Sequence, residues 1–295
     1  MNRRMYSKLL LLILILCAFV PAQARAPTSD REIGQVDSWP VVVYTFRPEG
    51  CAEPKLLILF AGYDRDADKY RDRAIPLAKR ACLLLFAPLL DRERFPNWRY
   101  QRAGVHRDER VQPTSAWTQP VLRDLIAWAR RWAGHSDVPT ILFGHSAGAQ
   151  FLSRAAAYFP PEDVYRIVIA NPSVHVMPSL EETVPYGFDG IFEGDQRAER
   201  LRAYLRQRIT IFLGQEDTAS GSLLVDDEGA QRQGGTRYER GKKVFATARA
   251  AAKQRDWPFN WRLIEVPGVG HSSRGMLNSP QALDALGLET LAPAQ

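Results

Sequence analysis

The stretch ILFGHSAGAQF, residues 141–151, passes from three apolar residues through Gly144-His145-Ser146-Ala147-Gly148 into a helix-like pattern. A plain turn wants Gly, Asn, Asp or Pro and has no need of this order. A strand, a sharp Gly-x-Ser-x-Gly bend and a helix together hold a serine hydroxyl up at the edge of a sheet. The flanking glycines remove side chains that would collide with strand and helix, and the helix start aims backbone N–H groups at developing negative charge. The bare motif is weak. Its place between a strand at 140–143 and a helix at 147–159 makes Ser146 a candidate nucleophile. The alternative is an ordinary Gly/Ser-rich turn.

Outward from this bend, apolar runs alternate with helical patterns. VVVYTF (41–46), LLILF (56–60), LLLFAP (83–88), TILF (140–143), YRIVIA (165–170), ITIFLG (209–214) and WRLIEV (261–266) read as short strands. Most are almost continuously apolar, as parallel strands covered on both faces are. Between them, 66–81, 119–133, 147–159 and 241–254 read as helices, with Pro120 suited to a first turn. The alternation predicts an α/β fold, a mostly parallel doubly wound sheet with helices on both faces. Three stretches, 91–118, 171–207 and 218–240, read as irregular and emerge at the carboxyl edge of the sheet, where such folds bind ligands. The last is polar and Gly-rich and is expected to be mobile.

The N-terminus has a different character. MNRRMYSK carries Arg3, Arg4 and Lys8 without an acid, Leu9 to Val20 is apolar, and Ala22 and Ala24 close the segment at an A-x-A spacing. That is the layout of a secretory signal peptide. A signal-anchor is the competing reading, but the apolar run is shorter than the roughly 20 residues that span a bilayer. Residues 1–24 are therefore expected to be a signal and 25–295 a single domain, secreted or periplasmic, with no stable membrane anchor after cleavage. Removing the leader takes three bases and no acid from a formal charge of +6, leaving an ordinary +3. No nucleic-acid partner is expected on that balance. Of three cysteines, Cys17 leaves with the leader. Cys51 and Cys82 precede two strands, and if these are parallel neighbours both cysteines lie at one end of the sheet. A disulfide between them is expected in an oxidising compartment; two buried thiols are the alternative.

A serine hydroxyl needs a base. His271 follows the last strand in VPGVGHSSRGM, a Gly-rich loop and the position that the chain order Ser…Asp/Glu…His requires. His175 is the next candidate, and His135 reads as a helix-end residue. The acid should follow a strand between the two; ITIFLGQEDTAS supplies Asp217, with Glu216, Asp226 and Asp227 as fallbacks. An oxyanion needs two N–H donors. Ala147 offers one, and Tyr63, after Gly62 at the end of a strand, is the candidate for the other.

The elbow, the segment GYDRDADKYRD, the VPYG at 184–187 and the terminal FNWRLIEVPGVGHSSRGM together resemble secreted α/β-hydrolases, in particular polyhydroxyalkanoate-depolymerase-like and feruloyl-esterase-like enzymes. The resemblance spans roughly residues 56–276. It implies a Ser146, Asp217, His271 triad and an ester or amide substrate, small or polymeric. Two departures stand out: Ala61-Gly62 replaces a His-Gly pair before the oxyanion residue, and Ser272 replaces an acid after the histidine.

Trp98, Tyr100 and Tyr186 sit in the irregular stretches and are candidates to line a substrate groove, though large aromatics also anchor long loops to a core. Arg92, Arg94, Arg99 and Arg102 either favour an anionic substrate or form a solvated face. No C-x-x-C, H-E-x-x-H, phosphate loop or dinucleotide motif is present, so no metal and no cofactor is expected. The reading is a secreted serine hydrolase of carboxylic esters. An amidase or peptidase, an acyltransferase and a non-catalytic binding protein on the same scaffold are the alternatives.

Overall fold

The computed structural model describes residues 28–288 apart from 38, 135, 220 and 222; the leader-like segment and His135 lie outside the described residues. In chain order, β1 (Thr28–Val36) and β2 (Trp39–Arg47) form a hairpin, followed by β3 (Lys55–Phe60), α1 (Ala67–Ala81) and β4 (Leu83–Pro88). The two-residue strands β5 (His106–Arg107) and β6 (Arg110–Val111) pair with each other ahead of α2 (Gln119–Ala133), β7 (Thr140–His145), α3 (Ala147–Tyr158) and β8 (Val164–Ala170). Then come α4 (Asp195–Arg206), β9 (Ile209–Gly214), α5 (Glu228–Gln231), α6 (Arg237–Arg255), β10 (Arg262–Val266), α7 (Ser273–Leu277) and α8 (Ala282–Leu286).

Eight strands make one sheet in the order β1-β2-β4-β3-β7-β8-β9-β10. Pairing is antiparallel for β1–β2 and β2–β4, and parallel for the rest. The central strands carry leucine, isoleucine, valine and phenylalanine on both faces because both faces are covered. One face packs on α2, α3, α4 and α6. The other packs on α1, α7 and α8. This is the doubly wound arrangement that the alternation of apolar runs predicts. Among the described residues, no helix is long and apolar enough to cross a membrane.

Cys51 and Cys82 are joined in a disulfide, with Cα atoms 5.5 Å apart. They meet because β3 and β4 are parallel neighbours, and Lys55 N–H donates to Cys82 C=O at 3.1 Å just beyond the bridge. The bridge lies at the amino end of these strands, opposite the carboxyl edge.

Several expectations are corrected here. β1 is a strand that TSDREIGQV does not announce: it is an edge strand, mostly polar, with only every second residue turned inward. The stretch 171–207 contains α4, whose apolar stripe is no wider than Leu201, Tyr204 and Leu205. The stretch 218–240 is not a loose loop. It holds α5, and α6 begins at Arg237, four residues before the expected start, on a capping box between Thr236 and Glu239. Arg240, 1% exposed, ties the segment down through bonds to the carbonyls of Ser173, Val225 and Gly234.

Candidate active site

β7 ends at His145 and α3 starts at Ala147, so Ser146 alone makes the turn between them. Its φ of 55° and ψ of −114° form the strained conformation that an elbow requires. A Cβ at Gly144 would stand 2.4 Å from Gly148 C=O, and one at Gly148 would stand 2.1 Å from Phe60 C=O. Backbone meets backbone at both places, so neither position admits a side chain.

Ser146 Oγ lies 3.0 Å from His271 Nε2, and His271 Nδ1 lies 2.7 Å from Asp217 Oδ2. The three residues come from the loops after β7, β9 and β10. With the imidazole protonated at Nδ1, its N–H donates to the carboxylate and Nε2 accepts from the serine hydroxyl. Asp217 is 1% exposed, whereas the His271 side chain is 30% exposed and open to a substrate. Glu216, by contrast, is exposed. His175 is fully buried, with neither ring nitrogen hydrogen-bonded, and burial pushes its pKa down to about 3. It lies outside the cleft and is no base for Ser146.

Around the serine is a cleft of about 370 Å³ lined by Gly62, Tyr63, Tyr70, Leu223, His271 and the charged side chains of Asp64, Asp66, Arg73 and Arg274. The Ala61–Tyr63 segment is fixed on every carbonyl. Ala61 C=O accepts from the Tyr100 hydroxyl at 2.7 Å, Gly62 C=O from Arg65 N–H at 3.2 Å, and Tyr63 C=O from Arg92 at 2.9 Å. In a trans peptide the N–H opposes the carbonyl, so the Tyr63 N–H points away from Arg65. Ala147 N–H is the first of α3 and has no partner within the helix.

The three aromatic candidates fare differently from expectation. Tyr100 is 1% exposed, stacked on Phe151 with Arg65 over its other side; it supports the Ala61 carbonyl from the core and cannot touch a substrate. Trp98 is half-buried against Arg99 and Arg107. Tyr186 is bonded to Asp227 and packs on Gly229 of α5. Neither lines the cleft that holds Ser146. Long loops over a hydrophobic core need anchors, and the aromatics are spent there.

Other contributors escape a sequence reading. Asn171, at the end of β8, accepts from Gly214 N–H at 2.9 Å and reaches Gly270 C=O at 3.4 Å. It thereby clamps the loops that carry Asp217 and His271. Arg237, 6% exposed in its side chain, sits 3.5 Å from Asp217 Oδ1 and balances a carboxylate removed from water. His145 Nδ1 is 2.9 Å from the Tyr70 hydroxyl. Burial, and then the nearby His271, hold His145 well below the ordinary histidine range, while burial pushes Tyr70 up to about 12. Only the asparagine carries a local signal, a polar residue closing the apolar strand YRIVIA.

The fold that carries these residues, taken as a whole, has close counterparts among solved structures. LpqC, a poly(3-hydroxybutyrate) depolymerase from Bordetella parapertussis, superposes with a TM-score of 0.78 at 28% identity, over 91% of this chain and 93% of that one. The chain has the α/β-hydrolase fold. Poly(aspartic acid) hydrolase-1 from Sphingomonas sp. KT-1 is nearly as similar, with a TM-score of 0.76 at 28% identity over 86% of this chain and 96% of that one. An S-formylglutathione hydrolase from Agrobacterium tumefaciens shares the fold, with a TM-score of 0.51 at 14% identity over 88% and 92% of the two chains. No protein-family model and no curated protein matches the sequence.

Proposed function

We propose that this chain of α/β-hydrolase fold is an exported serine hydrolase that cleaves carboxylic esters through an acyl-enzyme. The observation that carries the reading is the continuous line from Ser146 Oγ to His271 Nε2 at 3.0 Å and from His271 Nδ1 to Asp217 at 2.7 Å. Ser146 Oγ attacks the carbonyl carbon as His271 Nε2 takes its proton. Asp217 holds the imidazole in the Nδ1–H tautomer and stabilises the imidazolium. The N–H groups of Tyr63 and Ala147 stabilise the oxyanion. On collapse the C–O bond to the alcohol breaks, and His271 gives its proton to the departing oxygen. Water then repeats the cycle on the acyl-serine and releases the acid. The leader-like N-terminus and the Cys51–Cys82 bridge support export. Similarity to a poly(3-hydroxybutyrate) depolymerase supports oligomeric or polymeric esters as substrates.

The test is fluorophosphonate labelling of the mature protein beside Ser146→Ala, with p-nitrophenyl esters of rising acyl length. Labelling and turnover should both vanish in the variant. A folded wild-type protein that takes no label would overturn the reading. Similarity to a poly(aspartic acid) hydrolase keeps a second bond in view, the amide. An ester and an amide of one acyl group, assayed side by side, separate the two.

A further inference from the structure

The cleft around Ser146 does not end at His271. A second groove, of about 590 Å³, runs along the segment Val266–Gln281, floored by Val266, Pro267, Val269 and Pro280. Ser272 and Arg274 line both spaces, so the two adjoin at the residues that directly follow His271.

The charges of the cleft are unequally satisfied. Asp64 pairs with Arg92 at 3.6 Å and Asp66 with Arg73 at 3.5 Å; Arg73 also donates to Ser273 Oγ at 2.9 Å. Arg274 is exposed, and among the described residues its guanidinium has no ion-pair or hydrogen-bond partner. One cation therefore stands free where the two spaces join. A guanidinium presents a planar fork of donors that fits a carboxylate in a two-point contact.

Chemistry fixes which part of a substrate lies there. The residue that protonates the leaving oxygen is His271, through Nε2, so the alcohol portion sits on the His271 side and the acyl portion on the other. Resting on the ester-hydrolase reading, we infer that the groove along 266–281 is a subsite for the leaving alcohol and that Arg274 selects alcohols bearing a carboxylate. Such substrates are esters formed on the hydroxyl of a hydroxy acid. The apolar floor takes the carbon skeleton between ester and carboxylate, and Arg274 takes its charged end.

The test compares phenyl butyrate with 3-carboxyphenyl butyrate, which share the acyl group and differ by one carboxylate on the leaving side. The readout is the ratio of kcat/KM for the charged over the neutral ester. Arg274→Gln should lower that ratio about fivefold, a size suited to an exposed charge pair. Arg274→Lys should restore part of it, and added salt of about 0.5 M should shrink the wild-type ratio by screening. A ratio unchanged in Arg274→Gln and insensitive to salt overturns the inference. A loss of kcat/KM for both esters alike, with their ratio unchanged, makes the side chain a structural support for α7 and also overturns it. Failure to cleave either ester, with no fluorophosphonate label on Ser146, is instead the failure of the underlying reading.

Discussion

The ring of His145 lies 4.8 Å from that of His271, centroid to centroid, at an angle of 36°. Two imidazoles this close cannot both hold a proton cheaply. Burial and the charge of a protonated His271 push His145 far down, and its Nδ1 is engaged by Tyr70. His145 therefore stays neutral while His271 exchanges its proton. Protonation of His145 should therefore add nothing to the acid loss of kcat/KM for p-nitrophenyl butyrate, and the limiting slope in a logarithmic plot should not exceed one. A slope of two would show that His145 takes up a proton as well.

Asp217→Asn puts a donor where Nδ1–H must donate. The wrong tautomer then faces Ser146, and kcat should drop by roughly ten-thousandfold, as in serine proteases with the same change. Arg237→Gln leaves the carboxylate in place and removes the cation 3.5 Å away. A loss of roughly tenfold, about 1.4 kcal/mol in the barrier, is expected there. Steady-state kinetics on both variants rank the two effects, and equal losses would contradict the assignment of Arg237 as a support.

His175 predicts an acid weakness. Its folded pKa is pushed down to about 3 by burial, well below that of the unfolded chain. A depressed histidine means that the unfolded state binds more protons as pH falls, so stability is present at neutral pH and lost below about 6.5. Between pH 7 and pH 5 this one group should remove about 2 kcal/mol. Its two ring nitrogens lack partners, so His175→Leu should also gain about 1 kcal/mol at pH 7 and flatten the acid loss. Urea midpoints at the two pH values measure both; a variant as acid-sensitive as the wild type would refute the assignment.

The disulfide closes a loop with a sequence separation of 31 residues. Loop-closure entropy for that length is on the order of 3–4 kcal/mol. Because the bridge lies at the amino end of β3 and β4, its loss should not disturb the cleft at the carboxyl edge. Cys51→Ser with Cys82→Ser should lower the melting temperature and leave kcat within about twofold. A large fall in kcat at a temperature where the variant is folded would show coupling between the two ends.

The legible parts of this chain are those where one residue's environment is local. Ser146 announces itself because the strained turn needs glycines two residues away on either side, and the central strands because parallel sheet needs unbroken apolar runs. Asp217 and His271 follow from their places after strands. β1 is hidden because an edge strand needs few apolar residues, and α4 because its stripe is narrow. The partnerships of Arg237 with Asp217, of Tyr100 with Ala61 and of Asn171 with Gly214 and Gly270 depend on packing across 20 to 99 positions of chain. No local pattern encodes those. Tyr100 illustrates the cost: composition marks it as a groove residue, and burial makes it a prop beneath the oxyanion loop.

The order β1-β2-β4-β3-β7-β8-β9-β10 sets the hairpin at one flank of the sheet and the loops bearing Asp217 and His271 at the other. A turnover assay is thus a gauge of the centre of the sheet and of one flank. A slip of β10 against β9 displaces His271 from Ser146 and silences the enzyme at once. Fraying of β1, four strand positions away from β7, leaves no trace in the rate, so a preparation can be fully active and still be partly undone at its far edge.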